Sequence, residues 1–152
     1  MHSATRLVVF GLEERRYGLP LELVERVVRI VEITPLPKAP DIVLGVVNVQ
    51  GRVIAVANVR KRFGLSEREL RLSDQLIIAR TPRRPVALVV DAVSAVVEYA
   101  EGQAAAAQAI VPGTDYIAGV VKLADGMVLI QDLGRFLSLD EERHLDEAMP
   151  DA

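Results

Sequence analysis

What most constrains this chain is its punctuation. Short aliphatic runs at 7–12, 17–19, 23–31, 42–49, 53–59, 75–80, 86–90, 92–99, 116–123 and 127–133 are each bounded by turn-forming residues. The turn signals are Glu-Glu-Arg-Arg at 13–16, the proline segment 35–40, Gln50-Gly51, Pro82 to Pro85, Pro112-Gly113 and Asp125-Gly126. Runs this short and this closely spaced argue for β-strands and hairpins rather than alternating strand–helix units. Asp125-Gly126 is a good type I′ hairpin signal and Gln50-Gly51 a weaker one. Few helices are expected. Val59 to Gly64 reads as a helical turn ending at the glycine. Ser66 with Glu69, and Ser138 with Glu141, have capping-box spacing. The second pair opens LDEERHLDEAM, in which Leu145, Ala148 and Met149 share one stripe. This predicts a C-terminal helix over 138–149, with one face on the body and an acidic face in solvent.

The runs also repeat. GVVNV at 45–49 matches GVVKL at 119–123, 74 positions on. At that offset Asn58 meets Asp132, Val59 meets Leu133, Lys61 meets Arg135 and Leu65 meets Leu139. Earlier in each half, LVVF at 7–10 matches LIIA at 76–79, and VERVV at 24–28 matches VSAVV at 93–97, both at offset 69. The matches keep their order and include polar and glycine positions. They point to a duplication, with two all-β units of about five strands near 5–65 and 74–139. A short five-stranded sheet usually curls into a small barrel, which removes exposed edges.

Composition bounds the rest. At 152 residues the chain makes one domain, or two small units sharing a core. Hydrophobic residues are 51 % and aromatics only 4 %, so the core is expected to be Val, Leu, Ile and Ala. A net charge of −3 gives no general attraction to nucleic acid or an anionic membrane. The absence of cysteine excludes disulfides, thiolate catalysis and thiolate-bound metals. No signal-peptide pattern opens the chain, and no run approaches the roughly 20 apolar residues of a membrane helix. A cytoplasmic protein is the expectation.

Reactive constellations are hard to find. His2 and His144 have no second histidine at ligand spacing. Carboxylates cluster at 13–14, 67–69, 98–101 and 140–147, in expected turns and helix surfaces, and Asp91 and Asp132 sit at strand ends, where turn hydrogen bonding is the plain role. Neither a dinucleotide-binding nor a phosphate-binding glycine loop is present, and no serine has nucleophile-elbow context. The basic groups Arg60-Lys61-Arg62, Arg80 and Arg83-Arg84 read as solubilising turns. Catalysis, cofactors and metals are therefore not expected. A small β domain of this kind works by presenting a face or an edge to a protein.

Four segments carry a family resemblance: LVVFGLEERRYGLPLELVERVVR (7–29), ITPLPKAPDIVLGVVNVQGRVIAVANVRKRFGL (33–65), SDQLIIARTPRRPVALVVDAVSAVVEY (73–99) and YIAGVVKLADGMVLIQDLGRFLSL (116–139). In this order they resemble the CheW family of chemotaxis coupling proteins. The resemblance implies one CheW-like domain over 1–152, built of two five-stranded SH3-like β-barrels around a shared core. It implies a non-catalytic adaptor that bridges the cytoplasmic tips of methyl-accepting chemoreceptors to the regulatory domain of a CheA-type histidine kinase, in arrays at the membrane but without insertion. Carried over by position, Val24 and Val27 sit on a segment that helps line an apolar receptor groove between the barrels, with Val89, Val90 and Val93 on the matching segment, and Arg26 is a further partner-binding candidate. Gly45, Asn48, Gln50, Gly51 and Arg52 fall on the signature hairpin and Asn58 at its end. The chain departs from the family pattern at Gln50, where Arg is typical, at Ala55 (Pro), at Asn58 (Asp) and at Arg26 (often Glu), so partner contacts are where it is expected to differ. Other readings are an adaptor for a non-flagellar chemosensory output, a small-ligand sensor or enzyme using the inter-barrel cleft, and an SH3-like nucleic-acid module.

Overall fold

A computed structural model describes residues 5–100, 104–106 and 116–149. The Pro112-Gly113 turn signal, His2 and Glu101 lie outside them. The described residues form eleven strands: β1 (Thr5–Leu12), β2 (Arg15–Pro20), β3 (Val24–Arg29), β4 (Val43–Val49), β5 (Arg52–Ala57), β6 (Gln75–Arg80), β7 (Pro85–Val90), β8 (Ala92–Tyr99), β9 (Ala104–Ala106), β10 (Ile117–Leu123) and β11 (Gly126–Gln131). Among the described residues two α-helices accompany them, α1 (Val59–Arg62) and α2 (Leu139–Ala148), with 3-10 turns at Leu21–Leu23 and Leu133–Arg135. The fold is the expected all-β one with a C-terminal helix.

One sheet has the strand order β8-β1-β2-β11-β10-β9 and the other β3-β6-β7-β5-β4. The repeat makes β1 to β5 the counterparts of β6, β7, β8, β10 and β11. Exchanging counterparts turns one order into the other, with β9 as the single addition. The likeness reaches the irregularities. β5 pairs with β7 in parallel, as β11 does with β2. Bulges fall between Val43 and Gly45 and, 74 positions on, between Ile117 and Gly119. Others skip Glu25 in β3 and Ser94 in β8, 69 positions apart. Bulges are specific features, so their recurrence at matching positions supports the duplication.

The sheets cut across the unit boundaries drawn at 5–65 and 74–139. Hairpin β1–β2 lies among second-half strands, and hairpin β6–β7 among first-half strands. Each half contributes its first hairpin to the other. The repeat could not reveal this, because duplicated halves offer equivalent edges and the hydrophobic pattern does not say which edge a hairpin takes. The chain beyond β3 then bridges from Thr34 to Val46 on β4, drawing the two edges of the second sheet together.

β1, β5, β6 and β7 are covered on both faces, which explains their near-continuous apolar runs. Leu76 and Ile78 point into the curl of their own sheet with Val47, Ile54 and Val56. Ile77, Ala79, Leu88 and Val90 point the other way, toward Phe10, Leu12, Tyr17 and Leu19 of the other sheet. The middle of this common core is aromatic. Phe10, Tyr17, Phe63 and Phe136 form a file with centroid separations of 5.9, 4.7 and 6.3 Å. All three phenylalanines are thus spent at one place, a concentration that the low aromatic content conceals.

Three local expectations resolve differently. The weaker hairpin signal is the one realised: Gln50 and Gly51 have φ of 51° and 85°, as a type I′ turn requires. At the stronger signal Leu123 pairs with Gly126, so the turn centres on Ala124 and Asp125. The Asp125 carboxylate there accepts from Arg16 at 3.1 Å. Ser66 and Glu69 cap no helix. Ser138 and Glu141 do form a reciprocal capping box at the start of α2.

Candidate partner-binding face

The hairpin β4–β5 separates into structural and presented residues. Gly45 has φ +153°, and a Cβ there would lie 2.3 Å from the Thr34 carbonyl oxygen. Its role is to let the two backbones meet, as Thr34 N–H donates to Val46 O at 2.9 Å and Val46 N–H to Thr34 O at 2.8 Å. Asn48 Oδ1 accepts from Gly51 N–H at 2.9 Å and braces the turn. Asn58 was expected on the contact surface and is not: it is 8 % exposed. Its Oδ1 accepts from Lys61 N–H at 3.1 Å as the cap of α1, and its amide nitrogen donates to Glu67 at 2.6 Å. That leaves Gln50 at the exposed tip, with Gly51, and Arg52, whose guanidinium pairs with Glu25 of β3 at 2.9 Å.

The valines also divide. Val90 is fully buried and belongs to the common core, so it is removed from the candidate surface. Val89 packs into the curl of its own sheet. Val24 and Val93, half-buried, both pack against the common core, one from each sheet. Register extends this pair outward. Val27 opposes Ile77 of the common core, so it faces the same way as Val24, and Val96 opposes Val8, on the face of Phe10. Val27 is 37 % and Val96 55 % exposed. β3 and β8 are edge strands, counterparts in the repeat, and each carries aliphatic side chains from the shared core out to solvent. Arg26 lies exposed on β3. Val96 escaped the sequence reading, although its repeat counterpart is Val27.

Sequence reasoning also misjudged the arginines. Arg60, Arg62 and Arg84 are no solubilising turns: their side chains are only 11, 12 and 15 % exposed. Arg60 bridges Glu13 at 2.9 Å and Asp91 at 2.5 Å, and Arg68 bridges Asp91 and Asp74, each at 2.7 Å. Asp91 Oδ2 also accepts from Glu13 N–H at 2.7 Å. Burial alone would raise the Asp91 carboxyl, but the Glu13 N–H and the two guanidiniums outweigh it and hold it below the usual 3.8. Asp74 is lowered likewise, against its burial, by Arg68 and the Arg71 N–H. These charges join the β1–β2 turn, α1, the 64–74 loop and the β7–β8 corner. Every one of these carboxylates is engaged with a cation, so the arrangement clamps elements together and leaves no free acid–base pair there.

Comparison with known proteins accords with this geometry. The family model described as "CheW-like domain" matches residues 6–141. "Chemotaxis protein CheW" of Treponema pallidum is 26 % identical over 146 residues, covering 92 % of this chain and 86 % of that protein. The Thermotoga maritima protein of the same name is 35 % identical over 94 residues, 62 % of each chain. In structure, the scaffolding protein TtCheW from Thermoanaerobacter tengcongensis superposes with a TM-score of 0.84 at 30 % identity, covering 91 % of this chain and 96 % of that one. The duplicated two-sheet architecture, the signature hairpin and the match along nearly the whole chain place this protein in the CheW-like domain family.

Proposed function

We propose that the chain is a non-catalytic chemotaxis adaptor that couples chemoreceptors to the regulatory domain of a CheA-type kinase, in cytoplasmic arrays beneath the receptor membrane. The observation that carries this reading is the pair of edge strands, β3 and β8, which carry valines from the common core to the surface, with the signature hairpin tied to β3 by the Arg52–Glu25 pair. In this reading Val24, Val27, Val93 and Val96 line the receptor groove, with Arg26 at its rim. Gln50, Gly51 and Arg52 form a contact at the hairpin tip. An amphipathic helix laid in such a groove would be held by apolar anchors, with polar tip contacts setting specificity. Among the described residues no helix is long and apolar enough to cross a membrane.

A pull-down with the regulatory domain of a CheA from the same organism tests the coupling. Recovery of that domain is the expected result, and failure to bind it with folded protein rejects the role. Gln50→Arg sharpens the test. The side chain is exposed and its backbone conformation is unchanged by the swap, so the melting temperature should stay put while affinity changes, since a guanidinium makes stronger charge-assisted bonds than an amide. A large drop in melting temperature with unaltered binding would make Gln50 structural.

A further inference from the structure

The C-terminal helix is held in an unusual way for an amphipathic element. Of the residues in α2 only Glu142 and Leu145 are buried. The face it turns to the body is acidic, and the surface it meets is basic. Glu141 takes both oxygens to Arg62 Nη2, at 2.6 and 2.5 Å. Glu142 pairs with Arg84 at 3.3 Å, and Asp146 pairs with Arg84 and, at 3.5 Å, with Arg83. Among the described residues Asp140 and Arg143 pair with each other, in solvent. A ten-residue helix is marginal by itself in water, so its order depends on this seat. The seat does not depend equally on the helix. Arg62 also donates to the Tyr116 hydroxyl at 2.8 Å and lies 4.7 Å over that ring and 5.7 Å from Phe136. Arg84 sits in the β6–β7 turn, whose backbone is tied by Thr81 N–H to Arg84 O at 3.0 Å.

We propose that α2 is a latch that leaves the body as a unit while both sheets stay folded, and that the arginine seat it uncovers is a docking site for an acidic amphipathic helix, which α2 occupies in cis. Three of its acidic side chains are held by arginines, and salt screens such pairs, those of the more exposed Asp146 most, while leaving the aliphatic core unweakened. Opening moves one leucine and three carboxylates into water and leaves two guanidiniums already positioned by the body.

Hydrogen exchange on the full chain tests the first half. Raising salt from about 0.05 M to about 0.5 M, across which the Debye length shrinks severalfold, should speed exchange in 139–148 at least tenfold. Exchange in β6, β7 and β11 should not change. Equal rates for α2 and those strands at both salts would mean that α2 opens only with global unfolding, and would overturn the latch. The variant Glu142→Gln/Asp146→Asn tests the seat without touching it. A labelled peptide of residues 138–149 should bind this variant, at least tenfold more tightly than it binds wild type, because the variant's own helix competes poorly. A peptide carrying the same two substitutions should not bind. Equal binding to both proteins, or no binding to the variant, would overturn the seat.

Discussion

Gln50 shows how one side chain can be free to change while its backbone is not. With φ of 51° it occupies the left-handed region, where a residue with a Cβ is strained, and with Gly51 it makes the tight turn that sets the register of β4 on β5. The left-handed penalty is about 1–2 kcal/mol, and glycine's extra unfolded-state entropy offsets about 0.5–1 of it. Gln50→Gly should therefore raise stability by about 0.5–1 kcal/mol in urea unfolding. Gly45→Ala should do the reverse. The new Cβ meets the Thr34 carbonyl, and one backbone must move, costing about 1–3 kcal/mol. No change in unfolding midpoint for Gly45→Ala would show that the Thr34–Val46 bridge contributes nothing. The sequence marked both positions through turn chemistry and the family pattern. It could not separate Asn58 from them, because an amide that caps a helix and an amide that faces a partner look alike until burial is known.

Among elements, the corner where the two sheets meet is clamped by charge. Arg60 and Arg68 gather Glu13, Asp91 and Asp74, whose side chain is 1 % exposed. Asp74 and Asp91 both titrate lower in the folded chain than the ordinary 3.8. Their contribution is therefore complete above that value and is lost as pH falls through the lower, folded-state values. The urea midpoint should hardly move between about pH 7 and pH 5 on their account and should fall steeply below about pH 4. Asp91→Asn should flatten that acid slope and lower the neutral-pH midpoint, since two guanidiniums lose a charged acceptor. An acid slope identical to wild type would remove Asp91 from the clamp. Glu141 is also lowered, burial opposing and the Ser138 N–H and Arg62 prevailing, so the α2 contact adds to the same acid loss. None of this was legible beforehand. Runs such as Arg60-Lys61-Arg62 read as surface, and only the fold shows that their acids come from 31 and 79 positions away.

At the scale of the whole molecule, the repeat declared two units and the topology exchanged their hairpins. The existence, order and hairpin pairing of every described strand but β9 were legible because turn residues and run lengths are local. Pairing between halves was not, because β1–β2 and β6–β7 satisfy the same pattern. The exchange has a consequence for folding. A fragment of residues 1–65 would keep β3, β4 and β5 without β6 and β7, which lie between β3 and β5 in the sheet. It would also keep β1 and β2 without β8 and β11, their neighbours on either side. Ile77, Leu88, Val90, Leu133 and Phe136 of the common core would be missing as well. Such a fragment should be unfolded by circular dichroism and amide dispersion, as should residues 66–152 alone. Mixed together, the two should recover the native β signal, with a rate that rises with concentration because each hairpin must find the other half's sheet. If residues 1–65 instead fold alone with a cooperative melt, the hairpin exchange is not obligatory, and each half can close on its own first hairpin.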